Sequence, residues 1–345
     1  MNKAVKQILL LALLFIAPVS ANAEKDDFDT FGELDPGFDD SPVRREVYHP
    51  SWFRLSFLNL KEDLEEAITF RKQGIVLYFS QKYCPYCQAM LDQNFSRYDV
   101  ERYSRDRFDF VAIDIHGNKN VTDFNGREID EKEFADQMKV NFTPTLIFID
   151  AQGEIALRLN GYHPPYKFRA ALEYVADQHY RNESYSAYLE RAGPALSFEV
   201  GGLNEAEIFL SPPHNLNRSR IKGQRPLAVF FEQGDCHACD VLHTRPLQNP
   251  EILKHFESFD AVQLDIRAET LVVTPLGEKT NSKAWAKKLG LYYTPTLLFF
   301  DELGNEIIRV DSVVGFYRLQ RVLDYINSGA YRRGITLQQY RREKR

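Results

Sequence analysis

Residues 81–91 read QKYCPYCQAML and residues 233–243 read QGDCHACDVLH. Each stretch sets two cysteines three apart, after an apolar run and at the start of a helical pattern. Together they hold all 4 cysteines of a 345-residue chain. A disulfide across so short a loop is a weak staple. In the chain-entropy account it is worth roughly 2 kcal/mol, against about 3 for a 15-residue loop. The same spacing suits a dithiol that opens and closes reversibly.

A chain of 345 residues is long enough for two domains, and its 44% hydrophobic and 27% charged residues are ordinary for soluble globular protein. A formal charge of −6 argues against a general nucleic-acid binder. The charge is unevenly placed: Glu24–Asp40 carries eight acidic residues against one Lys, and Tyr331–Arg345 carries six basic residues against one Glu. Both ends are expected to be solvated and mobile, with a docking role as the alternative. The first 23 residues read as an export signal: Lys3 and Lys6, an apolar core over Ile8–Ala17, and the small-residue site Ala21-Asn22-Ala23. The apolar core is too short to span a bilayer. Cleavage after Ala23 then yields a soluble exported protein with no stable membrane insertion, in an oxidising compartment, most simply the bacterial periplasm.

The chain also repeats itself. NFTPTLIFIDAQGEIALRLNGY from Asn141 parallels YYTPTLLFFDELGNEIIRVDSV from Tyr292. Cys84 precedes Pro144 by 60 residues and Cys236 precedes Pro295 by 59. Gly126 and Gly277 each lie 18 before their proline, and Leu64 and Leu216 each lie 20 before the first cysteine. A period of about 151 residues with few net insertions marks two copies of one domain.

Each copy reads as an apolar strand (IVLYF or LAVFF), the cysteine pair with a helix, and a second strand (FDFVAIDI or FDAVQLDI). An insert and a helix follow, then Thr-Pro-Thr, two strands and a closing helix. Copy one also opens with a helix over Lys61–Arg71. The pattern predicts an α/β class, two tandem domains, each a mixed sheet with helices on both faces. We place the signal peptide at 1–23, an acidic mobile segment at 24–49, and domain one at 50–181. A linker at 182–202, domain two at 203–330 and a basic C-terminal tail at 331–345 complete the chain. In the insert, NVTDFNGREID reads as a hairpin about Asn125-Gly126 that walls a groove beside Cys84.

The first cysteine of each pair falls at a strand-to-helix junction, and Pro85 suits a first helical turn. Cys84 and Cys236 thus sit by orphan N–H groups and the positive end of a helix dipole. A thiol of pKa near 8.5 is only about 3% ionised at pH 7, and a shift to about 7 makes it half ionised. Cys84 and Cys236 are therefore the nucleophiles, and Cys87 and Cys239, one turn in and shielded, the resolving thiols. The residues between them tune the poise. His237, when charged, favours a thiolate, whereas Tyr86 offers only a hydroxyl beside Pro85, and Ala238 nothing polar. The second pair is expected to be the more oxidising. Proline at a strand start forfeits a ladder donor. A cis peptide at Thr143-Pro144 and Thr294-Pro295 would turn the preceding backbone toward an extended substrate strand. A trans proline at a strand edge is the alternative.

The combination of strand, C-x-x-C at a helix start and Thr-Pro-Thr some 60 residues later resembles the thioredoxin fold, twice. CPYC is also used by glutaredoxins and some periplasmic Dsb-type proteins. The insert VTDFNGREIDEKEFA (121–135) is similar to that of periplasmic thioredoxin-like proteins linked to sulfur oxidation. The likeness spans about 50–180 and 203–329. It implies an enzyme of thiol–disulfide exchange on protein disulfide substrates, with a cis proline facing each pair. A membrane electron donor of the periplasmic reductive pathway is the partner implied for a reductase. Neither cofactor nor metal is expected. The chain departs from true thioredoxins in having Tyr83 and Asp235 where those have Trp. It has Pro85-Tyr86 and His237-Ala238 where those have Gly-Pro, and Tyr78 and Phe230 where those bury an Asp. Glu232, four before Cys236, is a candidate for that Asp's proton role in copy two, unless its strand turns it away.

Three other readings compete: a non-enzymatic binding module or scaffold, an isomerase or oxidase, and a metal site. Cys236, Cys239 and His243 lack a fourth ligand for structural zinc, and His243 reads as a surface helix residue. Tyr83, Tyr86, Phe142, Tyr292 and Tyr293 flank the motifs as either core or an apolar rim for substrate.

Overall fold

The computed structural model describes residues 39–192, 202–234 and 236–344. The expected signal peptide, the acidic stretch through residue 38, residues 193–201 of the expected linker, and Asp235 lie outside them.

In domain one, Asn59 caps helix α1 (Leu60–Thr69) by accepting from the Glu62 N–H. The apolar run forms β1 (Gly74–Ser80), buried along its whole length. It leads into α2 (Pro85–Ala89), a π-helical turn (Met90–Phe95), α3 (Tyr98–Arg107) and β2 (Phe108–Asp114). The hairpin β3 (Asn120–Thr122) and β4 (Glu128–Asp130), α4 (Glu131–Gln137), β5 (Thr145–Asp150), β6 (Ile155–Asn160), α5 (Pro165–Ala176) and α6 (Tyr185–Ala192) follow. The sheet order is β2-β1-β5-β6, with β1 parallel to β2 and antiparallel to β5. Period-two alternation splits the core between the faces. Val76, Tyr78 and Phe110 pack with Phe95 and Phe168 on the cysteine-helix side. Ile75, Leu77 and Phe79 pack with Leu64 and Phe134 on the other.

Domain two repeats this scheme. It runs through β7 (His214–Asn215), β8 (Leu227–Glu232), α7 (His237–Thr244), α8 (Pro250–Phe256) and β9 (Asp260–Asp265). The hairpin β10 (Leu271–Val273) and β11 (Lys279–Asn281), α9 (Ser282–Lys288), β12 (Thr296–Phe300), β13 (Glu306–Val310), α10 (Phe316–Asn327) and α11 (Leu337–Glu343) complete it. Its sheet order is β9-β8-β12-β13. The two mixed-sheet domains expected from the repeat are present, with helices on both faces of each sheet.

Several boundaries differ from expectation. Tyr185–Ala192, assigned to the linker, is helix α6, and Tyr185 and Tyr188 belong to the core of domain one. Asp40, the last residue of the acidic run, and the described part of the basic end both dock within the chain. Asp40, placed in a mobile acidic segment, is 3% exposed. Beyond it, the Val47 N–H donates to the Lys82 carbonyl and His49 stacks on Phe53. The basic tail folds into α11, whose Leu337 and Gln338 are buried. Gln338 donates to the Asn141 carbonyl at 2.5 Å, and Arg342 pairs with Asp136. A Leu337–Tyr340 apolar face inside a basic run was the signal for this. The Asn125-Gly126 hairpin forms with Gly126 at φ +79°, but it packs against α1 and α4 rather than walling the groove beside Cys84.

Candidate active sites

In both domains the first cysteine is the N-cap of its helix. The N–H of Cys87 points at Cys84 Sγ at 3.0 Å, and the N–H of Cys239 at Cys236 Sγ at 3.1 Å. This is the position the strand-to-helix junction called for, where orphan N–H groups favour negative charge on sulfur. The two pairs are in the disulfide form. Cys87 and Cys239 are fully buried beneath their partners. Opposite each pair stands a cis peptide, Thr143-Pro144 and Thr294-Pro295. Thr143 Oγ1 lies 3.3 Å from Cys84 Sγ and, with that sulfur in a disulfide, the hydroxyl is the donor. A third cis bond, Pro212-Pro213, lies just before β7, outside the repeated Thr-Pro-Thr pattern.

The sites differ in what covers them. Over the first lies a guanidinium from domain two. Arg318, 5% exposed, stacks 3.5 Å above the Tyr86 ring. It donates to the carbonyls of Thr143 (3.2 Å) and Val313 and to Ser312 Oγ. Burial draws its pKa down, while Tyr86 and Asp40 oppose that. The Tyr86 hydroxyl donates to Asp40 at 2.9 Å and accepts from the Gly315 N–H at 2.8 Å. Asp40 in turn accepts from the backbone N–H groups of Tyr317 (3.1 Å) and Arg318 (2.9 Å), and so caps α10. Gly315, the residue in the N-cap position, leaves room for this, because a Cβ there would overlap the Asp40 carboxylate. At the second site Thr294 is half-buried and His237 exposed.

Four of the five flanking aromatics are core. Tyr86, Phe142 and Tyr293 are buried. Tyr292 packs edge-on against Tyr185 of domain one, and burial raises its hydroxyl pKa. Only Tyr83, 47% exposed, lies on the surface. Pro85 and Ala238 are partly covered at their helix starts.

Behind the second pair lies a polar cluster that the sequence reading split. Glu232, fully buried, faces α7 and meets His243 Nε2 at 2.9 Å, while Gln263 donates to it at 2.9 Å. His243 is therefore a core residue and not a surface one. Its i+4 spacing from Cys239 puts both on one helix face. In domain one the matching positions hold Ser80, bonded to His49 at 2.9 Å, and Leu91. No cluster of three or more metal-ligating side chains occurs among the described residues.

The model of the family described as Thioredoxin-like domain matches the chain twice, over residues 60–176 and 212–327. No curated protein matches. Among solved structures, the chain is similar to a thioredoxin-fold protein from Helicobacter pylori, at 25% identity over 34% of this chain and 82% of that one (TM-score 0.31). A thioredoxin from Thermus thermophilus matches at 27% over 34% and 83% (TM-score 0.28). A structure described as DsbH oxidoreductase matches at 22% over 38% and 92% (TM-score 0.28).

Proposed function

The chain belongs to the thioredoxin-like domain family, and from that premise we propose that it is a thiol–disulfide oxidoreductase that reduces disulfides of exported proteins. One observation carries the reading. Twice in the chain, a sulfur caps a helix, a second sulfur is buried one turn in, and a cis Thr-Pro loop stands opposite. In the reduced protein, the thiolate of Cys84 or Cys236 attacks a substrate disulfide. One substrate sulfur leaves as a thiol and the other is held in a mixed disulfide. Cys87 or Cys239 then loses its proton and attacks the first cysteine, which releases the second substrate thiol and leaves the pair oxidised. Two electrons have passed to the substrate.

The periplasmic address, the reductive direction and a membrane donor that restores the dithiols belong to this proposal. Their support is the N-terminal export pattern and the likeness of the insert to sulfur-oxidation-linked proteins. Redox titration of each pair, with the other changed to serine, tests it. Potentials near about −270 mV fit a reductase, and values near about −120 mV would replace it with an oxidase reading. If Cys84→Ser plus Cys236→Ser protein exchanges disulfides as fast as the parent, the chemistry is not that of these pairs.

A further inference from the structure

The first dithiol opens onto a cavity that neither domain makes alone. The enclosed part of the opening holds about 30 Å³, so only a narrow group reaches the sulfur while the rest of a ligand stays at the rim. Gln81, Cys84 and Thr143 line it from domain one, and Arg318, Arg321 and Arg341 from domain two. Arg318 and Arg321 stand one turn apart on α10, and Arg341 projects from α11, the docked basic end. Three arginines therefore line a narrow opening with the attacking sulfur, and Arg341 there also donates to Gln338 Oε1 at 3.2 Å. Arg318 is fixed by its neutral partners and its stacking on Tyr86. It also takes the Thr143 carbonyl, the acceptor an extended polypeptide would need in order to pair at this loop. At the second pair, Thr294 is half-buried.

Resting on the exchange chemistry proposed above, we propose that the first pair takes a small disulfide bearing carboxylates within a few bonds of its sulfurs, and that Arg321 and Arg341 hold those carboxylates. Guanidinium groups match carboxylate geometry and are weakly hydrated, so an opening lined by the half-buried Arg321 and Arg341 selects an anion. The Cys84 thiolate attacks one sulfur of RS–SR, so that the S–S bond breaks, Cys84–S–S–R forms and RS⁻ leaves and is protonated. Cys87 attacks Cys84 Sγ, its proton passes to the departing sulfur, and the second RSH is released. The dithiol is oxidised by two electrons and RS–SR is reduced to two thiols.

The test uses the full chain with Cys236→Ser and Cys239→Ser, reduced beforehand with dithiothreitol that is then removed. Its single-turnover oxidation is followed with three disulfides of similar size: dithiodiglycolate (dianionic), bis(2-hydroxyethyl) disulfide (neutral) and cystamine (dicationic). Each rate is divided by that of free dithiothreitol with the same disulfide, to remove intrinsic reactivity. The normalised rate for the dianion is expected to exceed that for the dication by about tenfold or more. That ratio is expected to fall to within about twofold in Arg321→Ala plus Arg341→Ala protein, and to survive in the double Lys variant. On the parent, raising ionic strength is expected to compress the ratio, a readout that needs no variant. A ratio near one in the parent overturns the proposal. So does a ratio that the alanine changes leave intact, or slow reaction with all three beside fast reaction with an acidic peptide disulfide. No reaction with any disulfide refutes the exchange reading itself, and this inference falls with it.

Discussion

Asp40 holds three elements together, and its removal makes a stringent test. Its carboxylate is 3% exposed and accepts from the Tyr86 hydroxyl and from the N–H groups of Tyr317 and Arg318. In Asp40→Ala, two first-turn donors of α10 lose their acceptor, because Gly315 has no side chain to replace it. Loss of a cap costs about 0.5–2 kcal/mol, and a hydrogen bond to a charged group contributes about 1.5–3. The terms overlap, since the cap bonds are themselves the charged bonds, and together they come to about 3 kcal/mol. With a urea m-value of about 1–3 kcal/mol/M, the midpoint moves down by about 1 M or more. Asp40→Asn keeps an acceptor for the helix N–H groups and is expected to lose less than half as much. The assay is urea unfolding followed by circular dichroism, paired with alkylation of Cys84 in the reduced protein, which is expected to quicken as Tyr86 is released. If Asp40→Ala unfolds within about 0.5 kcal/mol of the parent and Cys84 is alkylated no faster, Asp40 does not tie the first site to domain two.

Three further outcomes follow from the same packing. Gly161 sits at φ +85°, and a Cβ there would overlap Ser312 and come within 2.7 Å of Arg318 Nη1. Gly161→Ala is therefore expected to cost about 1–2 kcal/mol and to speed Cys84 alkylation, and an unchanged alkylation rate would count against Arg318 as the cover. His243→Leu, which copies Leu91, leaves buried Glu232 with Gln263 but without His243 and is expected to cost about 1–3 kcal/mol. Adding Glu232→Ser, which copies Ser80, is expected to recover most of that loss, and simple additivity in the double-mutant cycle would show the pair uncoupled. Burial raises the Asp311 pKa to about 6, against the pull of Arg309. The folded state then holds a proton that the unfolded state has released, so Asp311 destabilises as pH rises through about 4 to 6. Stability of the parent relative to Asp311→Asn is expected to fall by up to about 3 kcal/mol across that window, and a flat difference in denaturation at several pH values would rule this out.

The repeat, the sheet and the sulfurs were legible in the sequence because their determinants are local or periodic. IVLYF (75–79) runs apolar without alternation because β1 is covered on both faces. Cys84 caps its helix because a strand ends four residues before it and Pro85 begins a helical turn. The offsets to Thr143-Pro144 and Thr294-Pro295 recur because each copy folds by the same short-range rules. What covers the first site was not legible. Asp40 looks like any acid in an acidic run, and Arg318 like any polar residue on an amphipathic helix. Their contacts with Tyr86 and Thr143 join residues 46 and 175 positions apart. Glu232 and His243 each stand out in the sequence, but nothing in strand or helix periodicity says that their side chains meet. The sequence alone determined two copies of a domain with a C-x-x-C sulfur pair at a helix start. Only the tertiary structure decided that domain two closes the first pair with arginine. Burial and hydrogen-bond satisfaction across an interface depend on how two surfaces meet, and no local pattern encodes that.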